Sequence, residues 1–243
     1  MTTVLKLGGS VITEKDRPET VDSAMLERAA ESVAILPGRT VIVHGGGSFG
    51  HHHASAHGVS STEATRDDAG IRAIHGAMKR LNGTVIDALA DTGVRAVPVH
   101  PFSGARRRSD GTLELGTAPV ATMLDEGFVP VLHGDTVVHE AAGATIVSGD
   151  ELVVALATAL DADRVGVCSS VPGVYDAAGN VIDRIESFDD IRDAVGASDT
   201  TDVTGGMAGK VHELLALDVP AYVFDIDGLE TFAADGDPGT KIV

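Results

Sequence analysis

Short apolar runs of strand length recur along the chain at Val4 to Leu7, Thr40 to Val43, Arg95 to Val99, Phe128 to Leu132, Arg164 to Cys168 and Ala221 to Phe224. Runs of this length, rich in β-branched residues, fit strands buried on both faces. Between them, apolar residues return every three or four positions. That spacing predicts helices over Ser23 to Leu36, Glu63 to Ala90, Ala118 to Asp125, Asp150 to Leu160, Phe188 to Val195 and Met207 to Leu217. Strands alternating with helices specify an α/β fold with a mostly parallel central sheet covered on both faces.

Several strands run straight into glycine or small-residue turns: Gly8-Gly9-Ser10, Gly45-Gly46-Gly47-Ser48, Gly134-Asp135 and Ser169-Ser170. In open α/β sheets ligands collect at the carboxyl ends of the strands, so the active site is expected to be assembled from loops far apart in sequence. The sequence shows no repeat, low-complexity tract or Pro- or Ser-rich linker, and one domain is expected over 1–243. Its N-terminal part, about 1–160, would carry the phosphate acceptor, and about 161–243 the nucleotide. An Asp-richer stretch from Asp176 to Thr201 marks a soft internal boundary.

Composition narrows the function classes. With 243 residues and 43% hydrophobic content the chain can bury a sizeable core. It lacks an apolar stretch of about 18 or more residues and a signal-like N-terminus, so a cytoplasmic location and no membrane association are expected. The single Cys168 excludes an intrachain disulfide and a Cys-based zinc site, and its apolar neighbours place it in the core. A formal net charge of -18 argues against nucleic-acid binding, which rests on a basic footprint. The run Arg106-Arg107-Arg108, flanked by Ser103, Gly104, Ser109, Asp110 and Gly111, reads as a solvated loop. Few lysines with abundant Asp, Glu and Ala point to a salt-adapted source.

Against that acidic background, the placement of Lys6, Lys15 and Lys210 in or beside glycine-rich segments indicates a bound polyanion, most simply a nucleotide phosphate. In Lys6-Leu7-Gly8-Gly9-Ser10 the glycines let backbone N–H groups approach a phosphate without a Cβ in the way. Three consecutive glycines in Gly45-Gly46-Gly47-Ser48-Phe49-Gly50-His51 carry a high cost in chain entropy that a phosphate cradle would justify. His51 is placed to donate a hydrogen bond to a phosphate oxygen or to carry a proton; the alternative is that His51, His52 and His53 form an exposed patch or a weak metal site. In Ser148-Gly149-Asp150, Asp150 reads both as a first-turn helix acid and as a carboxylate that holds ammonium groups. Thr204-Gly205-Gly206-Met207-Ala208-Gly209-Lys210 is not a P-loop, because Thr204 and Val211 stand where that pattern needs Gly and Ser or Thr. It remains a glycine turn opening a helix that carries Lys210.

Taken together, these segments resemble the amino acid kinase superfamily and, within it, the archaeal-type isopentenyl phosphate kinases. The resemblance runs from Lys6 to Gly239-Thr240-Lys241-Ile242. It implies a three-layer αβα sandwich that forms homodimers and uses ATP with Mg²⁺ to phosphorylate isopentenyl phosphate to isopentenyl diphosphate, in an alternative mevalonate route of isoprenoid synthesis. It implies that Lys6 and Lys210 hold ATP phosphates, that Lys15 stabilises the transferring group, and that Asp150 orients the lysines. His51, with Gly46, Gly47 and Gly50, would bind the substrate phosphate. On the nucleotide side it points to Gly8, Gly9, Ser10, Gly47, Gly173, Tyr175, Gly205 and Gly206. On the acceptor side it adds Gly149 and Ile146, the latter as a wall of an apolar pocket built from Ala144-Thr145-Ile146 and the helix near Ala69 to Val85. No residues are assigned to a metal. The chain departs from the pattern at Ser170, where many relatives carry Asp.

Phosphoryl transfer between two phosphates is limited by charge repulsion, so positioned positive charge is the main requirement, and a phosphate monoester needs no strong base. Two alternatives stay open at this stage. One is a kinase of another small phosphate or phosphonate of the fosfomycin type, and the other is a non-catalytic nucleotide or oxyanion binder on the same fold.

Overall fold

A computed structural model describes residues 1–191 and 206–243. The strands are β1 (Thr2–Leu7), β2 (Arg39–His44), β3 (Ala96–Pro98), β4 (Ala105–Arg107), β5 (Leu113–Leu115), β6 (Val129–His133), β7 (Asp135–His139), β8 (Gly143–Val147), β9 (Arg164–Cys168), β10 (Arg184–Ile185), β11 (Ala221–Phe224) and β12 (Thr240–Ile242). The helices are α1 (Gly9–Ile12), α2 (Ser23–Ala34), α3 (Gly47–Ala56), α4 (Asp68–Asp91), α5 (Pro101–Gly104), α6 (Ala118–Asp125), α7 (Gly149–Ala159), α8 (Met207–Leu214) and α9 (Ile226–Ala233).

The central sheet has eight strands in the order β10-β12-β11-β9-β1-β2-β6-β3. Its pairings are parallel except for β11 with β12. All six strands expected from the apolar runs lie in it. Strand alternation divides the interior in two. Val4, Val41, Val43, Val165, Val167 and Val223 face α6, α7 and α8. Leu5, Leu7, Ile42, Cys168 and Phe224 face α2, α4 and α9. The result is the expected three-layer αβα sandwich, with β1 at its centre, paired to β2 on one side and to β9 on the other. Lys6 follows the period of Val4, which points it toward α7.

The pattern missed a second sheet, β5-β4-β7-β8, whose short strands mix polar and charged residues with apolar ones. The expected loop at Arg106-Arg107-Arg108 is corrected by this sheet. Arg106 and Arg107 lie in β4, and Arg107 is buried. The helix expected from Glu63 begins instead at Asp68, because the Asp67 carboxylate accepts from the N–H groups of Ala69 and Gly70, both at 3.0 Å. The residues before it pair outward, Thr65 exchanging two 2.8 Å backbone bonds with Ala144. The triple-glycine segment is less loop-like than its composition implies, since α3 already begins at Gly47 and His51 lies within it. Gly and His are weak helix formers, and α3 is held by packing, with Phe49 buried among α4 side chains. From Phe188 the chain forms a 3₁₀ turn to Ile191, and the rest of the helix expected to Val195 lies outside the described residues.

Candidate functional site

At the carboxyl ends of β1 and β2 two glycine turns meet backbone to backbone. A Cβ on Gly9 would lie 2.2 Å from the Gly47 nitrogen, and one on Gly47 would lie 2.1 Å from Thr13 Oγ1. Gly47 also takes φ +47°, a backbone region that side chains strain. Thr13 Oγ1 completes the junction, donating to the Gly9 carbonyl at 2.7 Å and accepting from the Ser48 N–H at 3.0 Å. These glycines therefore serve chain-to-chain contact as well as any approach to phosphate.

Beneath this junction lies a compact ionic cluster. The Lys6 ammonium donates to both Asp150 oxygens at 2.9 and 3.0 Å, and Lys210 donates to the same two oxygens at 3.2 and 3.1 Å. Three elements far apart in sequence, β1, α7 and α8, supply the three groups. Gly149 leaves room for the Lys6 stem, whose Cε would stand 3.0 Å from a Cβ there. Asp150 is fixed by a capping box, in which Ser148 Oγ accepts from the Glu151 N–H and the Glu151 carboxylate accepts from the Ser148 N–H. Burial, reinforced by the neighbouring Lys210 charge, lowers the proton affinity of Lys6 against the opposing pull of Asp150. Burial alone would raise the Asp150 carboxyl, but the two ammonium groups outweigh it and hold it below the usual carboxylate range.

The cluster opens into a chamber of about 450 Å³. Its wall combines Asp150, Lys210, Gly149, Gly46, Gly50 and His51 with the apolar side chains of Ala54, Val59, Ile74, Met78 and Ile146, and the Met78 sulfur sits against Gly46 and Gly50. The N-caps of α3 and α8 are Gly46 and Gly206, neither of which caps with a side chain, although in α3 the Ser48 N–H is taken by Thr13 Oγ1 and the Phe49 N–H by the Gly46 carbonyl. A second cavity of about 440 Å³, between α2 and α4, is lined by Glu27, Glu31, Asp87 and Asp91. Its carboxylates suit no polyanion.

The structure brings together Lys6, Asp150, Lys210, His51, Gly46, Gly50, Gly149 and Ile146, with Gly47 adjoining through α3. Lys15 stays apart, exposed on a turn and without an ion pair to a described residue. Gly8 is buried, its N–H donating to the Cys168 carbonyl at 2.8 Å, and Ser10 is exposed. Gly173 packs against Thr240 and Val181, and Tyr175 is exposed nearby. Gly205 lies outside the described residues. Sequence reasoning did not single out Met78, Val59, Asp135 or Glu213 on the chamber wall. Met78 carries a usable signal, lying on the helix already expected to face the pocket. The Glu213 carboxyl is pushed up by burial and by Asp150 and Glu151, and its Oε2 has no hydrogen-bond partner among the described residues. Among the described residues no group of three or more His, Cys, Asp or Glu is placed to hold a metal ion. No helix among them is long and apolar enough to cross a membrane.

The sequence matches the amino acid kinase family over residues 1–218. It is 63% identical to the isopentenyl phosphate kinase of Haloferax volcanii over 241 residues, covering 98% of this chain and 97% of that protein. Identity to the isopentenyl phosphate kinase of Methanothermobacter thermautotrophicus is 36% over 229 residues, 88% of this chain and 86% of that one. The fold is similar to an X-ray structure of an isopentenyl phosphate kinase, with a TM-score of 0.86 at 30% identity and coverage of 100% of both chains.

Proposed function

The chain belongs to the amino acid kinase family, and from that premise we propose that it transfers the γ-phosphoryl group of ATP to the phosphate of isopentenyl phosphate, giving isopentenyl diphosphate and ADP. The observation that carries this reading is one chamber whose wall holds Lys210, joined through Asp150 to Lys6, together with the apolar side chains of Ala54, Val59, Ile74, Met78 and Ile146. The ammonium groups suit phosphates and the apolar side chains suit a short hydrocarbon.

In this reading an oxygen of the acceptor phosphate attacks the γ-phosphorus in line as the bond to the β-phosphate oxygen breaks. Lys6 and Lys210 neutralise the nucleotide phosphates, and Asp150 keeps both ammonium groups in place before substrate arrives, so little reorganisation is needed at the transition state. His51, with Gly46, Gly47 and Gly50, is assigned to the acceptor phosphate. Lys15, exposed and unpaired with described residues, is assigned to the transferring group. Gly8, Gly9, Ser10, Gly173, Tyr175, Gly205 and Gly206 are assigned to the nucleotide.

Asp150 already serves two ammonium groups, and among the described residues no group of three or more His, Cys, Asp or Glu is placed to hold a metal ion, so Mg²⁺ is assigned to the nucleotide phosphates rather than to a protein cage. Bound there, it would neutralise charge on the β- and γ-phosphates. A cytoplasmic homodimer belongs to the same reading, and light scattering at two concentrations tests the dimer.

The deciding assay follows ADP release from Mg²⁺-ATP in high salt with isopentenyl phosphate, fosfomycin, uridine monophosphate or acetylglutamate. Turnover of isopentenyl phosphate above the other three is expected. Turnover of another acceptor instead would overturn the substrate assignment, and silence on all four would leave a binding protein.

A further inference from the structure

Arg107 has no place in the transfer as described, yet it is among the most constrained cations in the molecule. It belongs to the basic run that reads as solvated loop, but its side chain is only 9% exposed. Its neighbours Arg106 and Arg108 remain outside, paired with Glu114. The Arg107 guanidinium satisfies four acceptors. Nε donates to Thr145 Oγ1 at 3.3 Å and one terminal nitrogen to the Gly111 carbonyl at 3.0 Å. The other terminal nitrogen donates to the Ile146 carbonyl at 3.1 Å and to Glu151 Oε1 at 2.8 Å.

Two of those acceptors belong to residues on the chamber wall. Ile146 is one of the apolar lining residues, and Glu151 is next to Asp150 in the first turn of α7. While one Glu151 oxygen takes the Arg107 bond, the other takes the Ser148 N–H at 2.9 Å, so one carboxylate ties the guanidinium to the cap of the helix that presents Asp150. A planar fork satisfied at every edge holds its partners in one register far better than an ammonium would. Its charge also cancels a carboxylate that would otherwise face a chamber meant for phosphates.

We propose that Arg107 is a positioning residue for phosphoryl transfer: from behind the wall it locks the Ile146 segment to the first turn of α7 and neutralises Glu151 next to Asp150. This rests on the kinase reading. It acts through Ile146, Glu151 and Asp150 and needs no contact with substrate.

The test uses Arg107→Met, Arg107→Lys, Glu151→Gln and the double variant R107M/E151Q in steady-state assays below their melting temperatures. Arg107→Met should lower kcat on the order of 10-fold, because a small misplacement of the lysine clamp suffices for that, and should raise KM for the anionic acceptor. Glu151→Gln keeps the helix cap, since Gln serves at that position too. The double variant should therefore recover part of the KM loss of Arg107→Met, because the unpaired carboxylate is gone. Arg107→Lys should keep KM near wild type while lowering kcat. Wild-type kcat and KM in folded Arg107→Met, or a double variant worse than Arg107→Met, overturns the proposal. If Arg107→Met does not fold, Arg107→Lys decides, and wild-type kinetics in it are then fatal. Titration of each variant with ATP separates this inference from the substrate assignment. A wild-type chain inactive on isopentenyl phosphate removes that assignment alone, and Arg107 is then judged by ATP affinity, expected to weaken in Arg107→Met and contradicting the proposal if unchanged.

Discussion

His44 and His133 stand opposite each other in register at the ends of β2 and β6, and in each ring Nδ1 lies within hydrogen-bond distance of the carbonyl of the glycine that follows it. The distances are 3.1 Å to Gly45 and 2.9 Å to Gly134. Both side chains are fully buried, and His133 Nε2 accepts from His100 Nδ1 at 2.9 Å. The pair thus shapes the turns that open the chamber without touching it.

That burial sets a pH dependence. Desolvation pulls the His44 pKa down from 6.5 to about 4 and holds His133 well below its usual range. Both are neutral in the folded chain, whereas the unfolded chain binds protons on them below about 6.5. A lowered folded pKa means stability is complete above the unfolded value and is lost as pH falls toward the folded one. The contribution of these two histidines to the unfolding free energy should therefore be flat above pH 6.5. Below it, stability should decline toward about 1.4 kcal/mol per pH unit for each histidine. Denaturant titrations at a series of pH values measure this, and an unchanged midpoint down to pH 5 would sink the idea.

Asp150→Asn leaves Lys6 and Lys210 together without a counter-charge. The folded chain should lose on the order of 3 kcal/mol, and turnover should fall sharply. Because a polyanion replaces the missing charge, ATP should raise the melting temperature of this variant more than that of the wild type. Equal shifts in a thermal-shift titration would argue against the clamp.

His51 is exposed and makes no hydrogen bond to a described residue. His51→Ala should change stability by less than about 0.5 kcal/mol, yet raise KM for the phosphate acceptor by about 10-fold through loss of a charge-assisted hydrogen bond. Unchanged acceptor kinetics would remove His51 from the site.

Glycines at two places should respond in opposite directions. Gly47→Ala forces a methyl onto Thr13 Oγ1 at positive φ and should cost more than about 2 kcal/mol. In α4, Gly83 is exposed with nothing within 4 Å of a Cβ, so Gly83→Ala should stabilise by about 0.5 to 1 kcal/mol. Melting curves of the two variants check both signs.

A surface with a formal net charge of -18 repels itself in dilute buffer. Raising KCl from about 0.1 M to about 1 M shortens the screening length from about 10 Å to about 3 Å. The melting temperature should rise with it, and by much less in a non-ionic osmolyte of equal osmolality.

Much of the sandwich was legible in the chain. Strands buried on both faces must be almost wholly apolar, so Val4 to Leu7, Thr40 to Val43 and their counterparts declare themselves locally, and the helices between them carry their own period. Lys6, Asp150, Lys210, His51 and the glycine turns were likewise nameable, since a cation beside a glycine turn in so acidic a chain has few other uses. The small sheet was not, because strands as short and polar as Ala105–Arg107 acquire their state from partners supplied by Asp135–His139 and Leu113–Leu115. The same cause hid the burial of Arg107, whose four acceptors come from segments brought to it by the fold.

From sequence alone, then, came what depends on local period and residue chemistry: the α/β class, the central strands, and the candidate groups for a phosphate. Tertiary structure alone decided that Asp150 lies between two lysines from β1 and α8, that Gly9 and Gly47 touch, that Lys15 stands apart, and that His44 and His133 are buried neutral. These are contacts and desolvation between segments far apart in the chain, and no local pattern of residues encodes a distance.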